Sequence, residues 1–436
     1  MAAIDDTLRE AMQAHGAGQL EAARALYQRL LDTAPQHPDG LHLMGVLQAQ
    51  CGQHELAAEL IGRAIAVQPQ EAMFHNNLGN VYIERGRFDD ALQHYQQAIT
   101  LDPGRVDAMN NLGVLYGQMR RHAEAEQTLL KVVELAPEFA DARQNLANFY
   151  LRAGRPSDAV QQCMDGLITA PRNTALRRVL GAAYSAMGMR DEAIGVYRAW
   201  LEAEPDNPVA MFHLQACTGE NVPERAPDAY VANIFDSFAN SFDAKLGSLS
   251  YQGPQLVAGA VARHAGPPER RLQVLDGGCG TGLCGPLMVP YAQRLEGVDL
   301  SERMLRKALV RKVYDELVCA ELVAFLQSRV AAYDLIVSVD TLCYFGALER
   351  FAAGAAAALR GPRLLVFTVE AHADDDSAPD YRLQDHGRYS HRRRYVESAL
   401  AGAGLSLLEM QSVVLRTEAG QPVPGWLVTA RADRSP

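Results

Sequence analysis

Small, apolar and aromatic positions recur along the first half of the chain at one fixed step. Alanines stand at Ala23, Ala57, Ala91, Ala125, Ala159 and Ala193, and prolines at Pro35, Pro69, Pro103, Pro137, Pro171 and Pro205. Small residues keep the step at Ala11, Gly45, Gly79, Gly113, Ala147 and Gly181, and tyrosines at Tyr82, Tyr116, Tyr150 and Tyr184. The step is 34 residues throughout. Such a period predicts stacked helical pairs, each burying its apolar face against the next. Small residues let two helices approach, and the proline ends the second helix because it has no N–H to donate. Six units result, at 4–37, 38–71, 72–105, 106–139, 140–173 and 174–207. Phe212 and Leu214 mark a capping helix over Pro208–Cys217. The first unit has Glu10 and Ala14 where later units have Leu and Tyr, as suits an outer face that meets water.

The pattern changes after Cys217. Residues 218–229, TGENVPERAPDA, read as a linker rich in proline and charge. Next, Phe235, Phe238 and Phe242 stand three and four apart, on one helical face, with Tyr230 and Tyr251 flanking them. Residues 218–250 thus form a linker and an aromatic segment that either docks on the next domain or closes over it as a lid. From residue 251 to 436 helix and strand alternate. A helix at Gln255–His264 precedes apolar strands at Leu272–Leu275, Leu295–Val298, Leu317–Cys319, Tyr333–Val339 and Arg363–Val369. A helix near His391–Gly402 leads to a last hairpin, Leu405–Leu415 and Val423–Ala430, around Gly420. Alternation of this kind predicts a wound, mostly parallel sheet with its ligand at the carboxyl ends of the strands.

The first of these strands opens into LQVLDGGCGTGLCG, and the second ends at Asp299. Glycines there let a cofactor approach the backbone, and an acid at the second strand tip is placed for a ribose diol. Two cofactors compete. Gly280-x-Gly282-x-x-Gly285 with Asp299 about 20 residues on satisfies the dinucleotide pattern. Asp276-x-Gly278-x-Gly280-x-Gly282 resembles motif I of the class I S-adenosylmethionine (SAM) methyltransferases. The acid directly before the glycines favours SAM, because a carboxylate would repel a pyrophosphate. The 34-residue units resemble tetratricopeptide repeats (TPR). The F-D-x-F-A-x-x-F-D block from Phe235 and the YRLQDHGRYSH segment resemble bacterial TPR-methyltransferases along nearly the whole chain.

The resemblance implies an all-α TPR superhelix over residues 4–217, then an α/β Rossmann-like methyltransferase fold over 251–436. Its sheet would have seven mostly parallel strands, the last two an antiparallel hairpin. Asp276, Gly278, Gly280 and Gly282 would hold the methionine and ribose of SAM. Asp299 and Leu300 would take the ribose side, Glu321 the adenine amino group, and Asp340 the methionine side unless it caps a helix. His391, Tyr389 and Tyr344 are the acceptor-side candidates for catalysis, with His386 and Arg388 beside them. Asn77, Asn111 and Asn145 fall 34 apart and would form an amide ladder, which either grips an extended peptide or bonds between repeats.

Composition narrows the partners. The chain has 41 basic and 52 acidic residues, a net charge of −11, which speaks against gripping a phosphate backbone. No apolar run approaches the ~20 residues of a membrane span, and the acidic N-terminus has no signal-like core. Seven cysteines without a CxxC pair argue against disulfides and zinc, so a cytoplasmic protein without a metal is expected. The leading expectation is a SAM-dependent methyltransferase whose repeats recruit a protein or peptide. A methyltransferase of a small or lipid-like metabolite with scaffolding repeats, and a SAM-binding adaptor without turnover, remain open, as does a homo-oligomer.

Overall fold

The computed structural model describes residues 2–239, 242–373, 375, 379–418 and 420–432. It divides into two compact units, one of residues 1–150 and 161–173, the other of residues 151–160 and 174–436.

The first unit is a run of helical pairs. The second helix of each pair stops at Thr33, Val67, Leu101, Leu135 or Thr169, two residues before the recurring proline. A residue before proline disfavours the helical conformation, so the chain turns there. The small position of each unit explains the close pairing. A Cβ on Gly45 would come within 2.6 Å of Ile61, on Gly79 within 2.6 Å of Tyr95, and on Gly113 within 2.7 Å of Leu129. Each contact lies 16 residues on, in the second helix of the same pair.

The second unit holds the sixth pair (Thr174–Ala186 and Arg190–Ala203), the capping helix Pro208–Thr218, and an α/β sheet. Among the described residues its nine strands are β1 (Leu272–Gly277), β2 (Ala292–Asp299), β3 (Glu316–Cys319), β4 (Tyr333–Ser338), β5 (Leu359–Ala371), β6 (Tyr381–Leu383), β7 (Tyr389–His391), β8 (Leu405–Glu418) and β9 (Gln421–Ala432). The order is β3-β2-β1-β4-β5-β7-β6, with β9 pairing antiparallel to β5 and β8 pairing to β9. This order, parallel from β3 to β5, is typical of the class I methyltransferase fold.

Both faces of the sheet are covered, so its strands alternate between two cores. Val274, Leu335, Val337, Leu364 and Val366 pack with the helix Gly253–His264 through Val257 and Val261. Leu275, Ile336, Leu365 and Phe367 pack on the other side with Phe351, Ala355 and Val396. The expected seven-strand sheet needs correction: β6 and β7 add a short hairpin beyond the end of β5. The hairpin was missed because its strands are three residues each, split by Gln384–Arg388, too short for a period to register.

The sixth pair and the capping helix pack into the second unit. Phe212 and Ala216 of the capping helix are buried with Tyr230, Leu383 and Tyr389. Arg190 pairs with Asp385 at 3.4 Å.

Candidate active site

Carboxyl ends of β1, β2 and β4 meet the aromatic segment around a cavity of about 290 Å³. That is near the small end of the ~300–1,000 Å³ usual for small-molecule sites. Asp276, Gly278, Gly280, Asp299, Leu300, Glu321, Asp340 and Tyr344 all line it.

The glycines of the turn answer to different neighbours. Gly278, Gly280 and Gly282 have φ of 72°, 55° and 81°, the left-handed region that side chains disfavour. A Cβ on Gly278 would collide with Thr341, whose hydroxyl donates to the Gly278 carbonyl at 3.2 Å. A Cβ on Gly282 would come within 2.9 Å of the Tyr314 ring. Only Gly280 faces open space, with Phe242 at 3.9 Å as its nearest neighbour. The expectation that all three glycines admit a ligand is corrected for Gly282, while Gly278 and Gly280 both line the cavity. Gly282 does not line the cavity.

Asp299 is fixed by backbone. Gly280 N–H donates to Oδ2 and Ser301 N–H to Oδ1, each at 2.9 Å. Burial raises its pKa, and those amides oppose the rise. Each oxygen keeps a lone pair for a further donor. Glu321 is held differently: its two oxygens accept from Val323 and Ala324 N–H at 3.0 and 2.8 Å, capping the helix Leu322–Gln327.

A methyltransferase-domain family matches residues 249–410. Tetratricopeptide-repeat families match residues 14–78, 79–119, 106–139, 128–161 and 175–209. The chain carries tetratricopeptide repeats ahead of a methyltransferase domain. That domain points to a SAM-dependent methyltransferase and implies SAM as the cofactor, while the repeats imply protein binding. No curated protein matches the chain. Among solved structures it is similar to a thermophilic TPR protein of Thermus thermophilus. That match has 25% identity over 41% of this chain and 98% of the other, with a TM-score of 0.38. It is also similar to pilF of Pseudomonas aeruginosa, at 21% over 47% and 94%, TM-score 0.41. YrrB, a TPR protein with an unusual peptide-binding site, matches at 17% over 42% and 95%, TM-score 0.34.

At the other end of the methyltransferase cavity lies a charge network. Buried Arg416 donates through Nη1 to both oxygens of Asp340 at 2.8 Å, through Nη2 to Glu370, and through Nε to Glu418 at 2.6 Å. Arg388 donates to Glu370 at 2.6 Å and to Glu418 at 2.9 and 2.7 Å. Burial would raise Glu418, but the two guanidiniums outweigh it and bring the carboxyl down to about 2. Burial also works against a charged Glu370, and the same cations hold it below its ordinary value. Asp340 has φ of 55°, a strained backbone for a non-glycine residue, and its side chain caps no helix. Asp340, Cys343 and Glu370 offer donor atoms within 4.8 Å of one another, but the Arg416 guanidinium bridges the two carboxylates. Arg416 and Glu418 were not legible as site residues. The only signal was a lone arginine within an apolar strand of the last hairpin.

Two acceptor-side expectations are corrected. Tyr389 and His391 do not line the cavity. Both lie in β7, whose alternation turns Arg388 toward the cavity and residues 389 and 391 away. Tyr389 donates to the Pro223 carbonyl at 2.7 Å. His391 is fully buried, bonds the Gly346 carbonyl through Nε2 at 3.1 Å, and lies parallel to the Tyr395 ring. Burial pushes it down to about 4, so it is neutral at pH 7. Tyr344 does line the cavity, yet burial lifts its phenol well above 10, which rules it out as a base near neutrality.

The aromatic segment closes over the turn. Phe235 and Phe242 line the cavity with ring centroids 5.9 Å apart, and Phe235 meets Tyr344 at 5.5 Å. Asp236 accepts from the Ser301 hydroxyl at 2.5 Å, and Asp243 from the Thr281 hydroxyl at 2.5 Å. Tyr251 also lines the cavity, whereas Tyr230 is buried against Phe212 instead. The Phe238 side chain lies outside the described residues.

In the repeats, the asparagines bond from one unit to the previous one. Asn77 donates to His42 Nε2 at 2.8 Å, Asn111 to Asn76 and Asn80 at 3.1 Å, and Asn145 to Asn110 at 3.1 Å. Among the described residues no helix is long and apolar enough to cross a membrane.

Proposed function

We propose that this protein transfers the methyl group of SAM to a polypeptide recruited by its repeats. The observation that carries the cofactor half is the pairing of Asp299 with Gly280. A carboxylate fixed by two amides lies beside the one glycine whose missing side chain leaves space. That is the donor-acceptor pattern a ribose diol needs, next to a backbone it can touch. Leu300, Ala320 and Leu322 supply apolar wall for an adenine, with Glu321 at its edge. Asp276 and Asp340 take the methionine end.

SAM supplies a sulfonium leaving group, so the chain's own task is alignment and exclusion of water. Phe235, Phe242 and Tyr251 do the excluding, as a lid latched by Asp236 and Asp243. Tyr344 stays protonated and orients the acceptor through its hydroxyl. Among the described residues no acceptor-side carboxylate is placed to act as a base, since the arginines that pair with Glu370 and Glu418 leave them too weakly basic. The acceptor atom must therefore arrive with its lone pair free.

The repeats supply the second half. Their matched families imply protein binding, and Asn77, Asn111 and Asn145 keep carbonyl oxygens that a peptide main chain can meet. Titration with S-adenosylhomocysteine tests the cofactor half: the wild type should bind, and Asp299→Ala should lose at least tenfold in affinity while keeping its thermal transition. Equal affinity of the two proteins would refute the assignment.

A further inference from the structure

Tyr314 sits in the turn before β3, outside the glycine motif and outside every strand and helix. Its hydroxyl donates to Asp276 Oδ2 at 2.7 Å. Its ring fills the space that side chains would need at three glycines. Cβ atoms on Gly282, Gly285 and Gly297 would come within 2.9, 2.7 and 3.1 Å of it. One side chain therefore floors the glycine turn and holds the acid that precedes it.

Asp276 is only 1% exposed yet lines the cavity. With Oδ2 taken by Tyr314, Oδ1 has no hydrogen-bond partner among the described residues. A desolvated carboxylate with one oxygen held and the other free toward a cavity calls for a cationic donor. We propose that Tyr314 is a positioning residue for the cofactor, holding Asp276 so that Oδ1 accepts the α-ammonium of the methionine portion. The proposal rests on the SAM reading given above.

Its signature is in pH. Burial pushes Asp276 up to about 7, the Tyr314 hydrogen bond pulls against that rise, and the charge of Asp299 adds to it. The other groups facing it, Cys279 and Cys284, are thiols that burial keeps neutral. An ammonium needs the ionised carboxylate, so affinity should fall as pH drops through the Asp276 pKa. Removing the phenol hydroxyl removes a donor that favours the anion, so the midpoint should move upward.

The test compares Tyr314→Phe with wild type by calorimetric titration between pH 6 and 8.5. The probes are S-adenosylhomocysteine, which has the ammonium, and 5′-methylthioadenosine, which lacks it. For a midpoint rise of about one unit, wild type should bind S-adenosylhomocysteine about ninefold more tightly than the variant at pH 6. The ratio should shrink to about fivefold at pH 7 and below about twofold at pH 8. Binding of 5′-methylthioadenosine should be unchanged. Equal loss for both probes, or a ratio that does not vary with pH, would overturn the proposal. Asp276→Asn, which keeps the ring in place, should weaken S-adenosylhomocysteine alone. If that variant binds both probes as wild type does, the ammonium contact is absent. A wild type that binds neither probe would instead overturn the cofactor reading itself.

Discussion

Gly278 and Gly280 stand two residues apart, share a positive φ, and serve different ends. Gly278 makes room for Thr341, so Gly278→Ala should lower stability sharply, by several kcal/mol of steric clash and backbone strain. Gly280 makes room in the cavity, so Gly280→Ala should cost only about 1–2 kcal/mol of strain but weaken S-adenosylhomocysteine about tenfold or more. Thermal unfolding and titration on the two variants separate the cases. His391 is a core residue, so His391→Gln should lower the melting temperature and leave the shape of the kcat/KM pH profile intact. A lost limb of that profile would restore it as a base. Glu418 is held near 2, below its unfolded value of about 4.3, so its contribution is complete above that unfolded value. It is lost as pH falls toward 2. Acid unfolding of wild type and Glu418→Gln should therefore converge only as pH falls below about 2, and differ by a constant margin above about pH 4.5.

These residues also mark how far the sequence could be read. Asp276, Asp299 and Asp340 were visible as acids at strand ends, because a wound sheet puts ligands there. What Gly282 faces was not, since Tyr314 lies far along the chain and only folding brings its ring beneath the turn. Arg416 was hidden for the same reason: its three carboxylate partners come from the turn after β4, from β5 and from its own hairpin. The YRLQ–GRY–SH segment drew attention to Tyr389 and His391. Strand alternation handed the cavity to Arg388, the residue just before them.

At the scale of elements, the proline and glycine periods carried the helical pairs almost intact. Each second helix stops two residues short of its proline, and all four recurring glycines meet a large side chain 16 residues on. The asparagine period was equally plain, but its hydrogen bonds run between units. Asn111→Ala removes a donor shared by Asn76 and Asn80 and should cost about 1 kcal/mol, read by chemical denaturation of the repeats. The aromatic segment is tied down through Asp236, which accepts from Ser301 and Arg303, and through Asp243, which accepts from Thr281 and Arg311. Asp236→Asn should raise the dissociation rate of S-adenosylhomocysteine several-fold in stopped-flow measurements and leave the melting temperature within a few degrees. An unchanged dissociation rate would mean the segment merely docks.

The whole molecule joins two compact units, and the sequence repeat does not end where the second unit begins. Phe212, Tyr230 and Tyr389 share one core, and the sixth pair lies with the sheet. A chain starting at Leu151 keeps that core and should fold, while one starting at Thr218 exposes Tyr230 and Tyr389 and should aggregate. Circular dichroism and gel filtration of the two proteins would show it. The central claim, methyl transfer to a polypeptide captured by the repeats, is tested most directly with labelled SAM. Full-length protein, the Asp299→Ala variant and the chain starting at Leu151 would each be added to lysate of the source organism, split into protein and solvent-extractable fractions. The full-length protein should label a discrete protein band, Asp299→Ala none, and the chain starting at Leu151 far less. Label in the solvent extract that persists in the chain starting at Leu151 would contradict methyl transfer to a captured polypeptide.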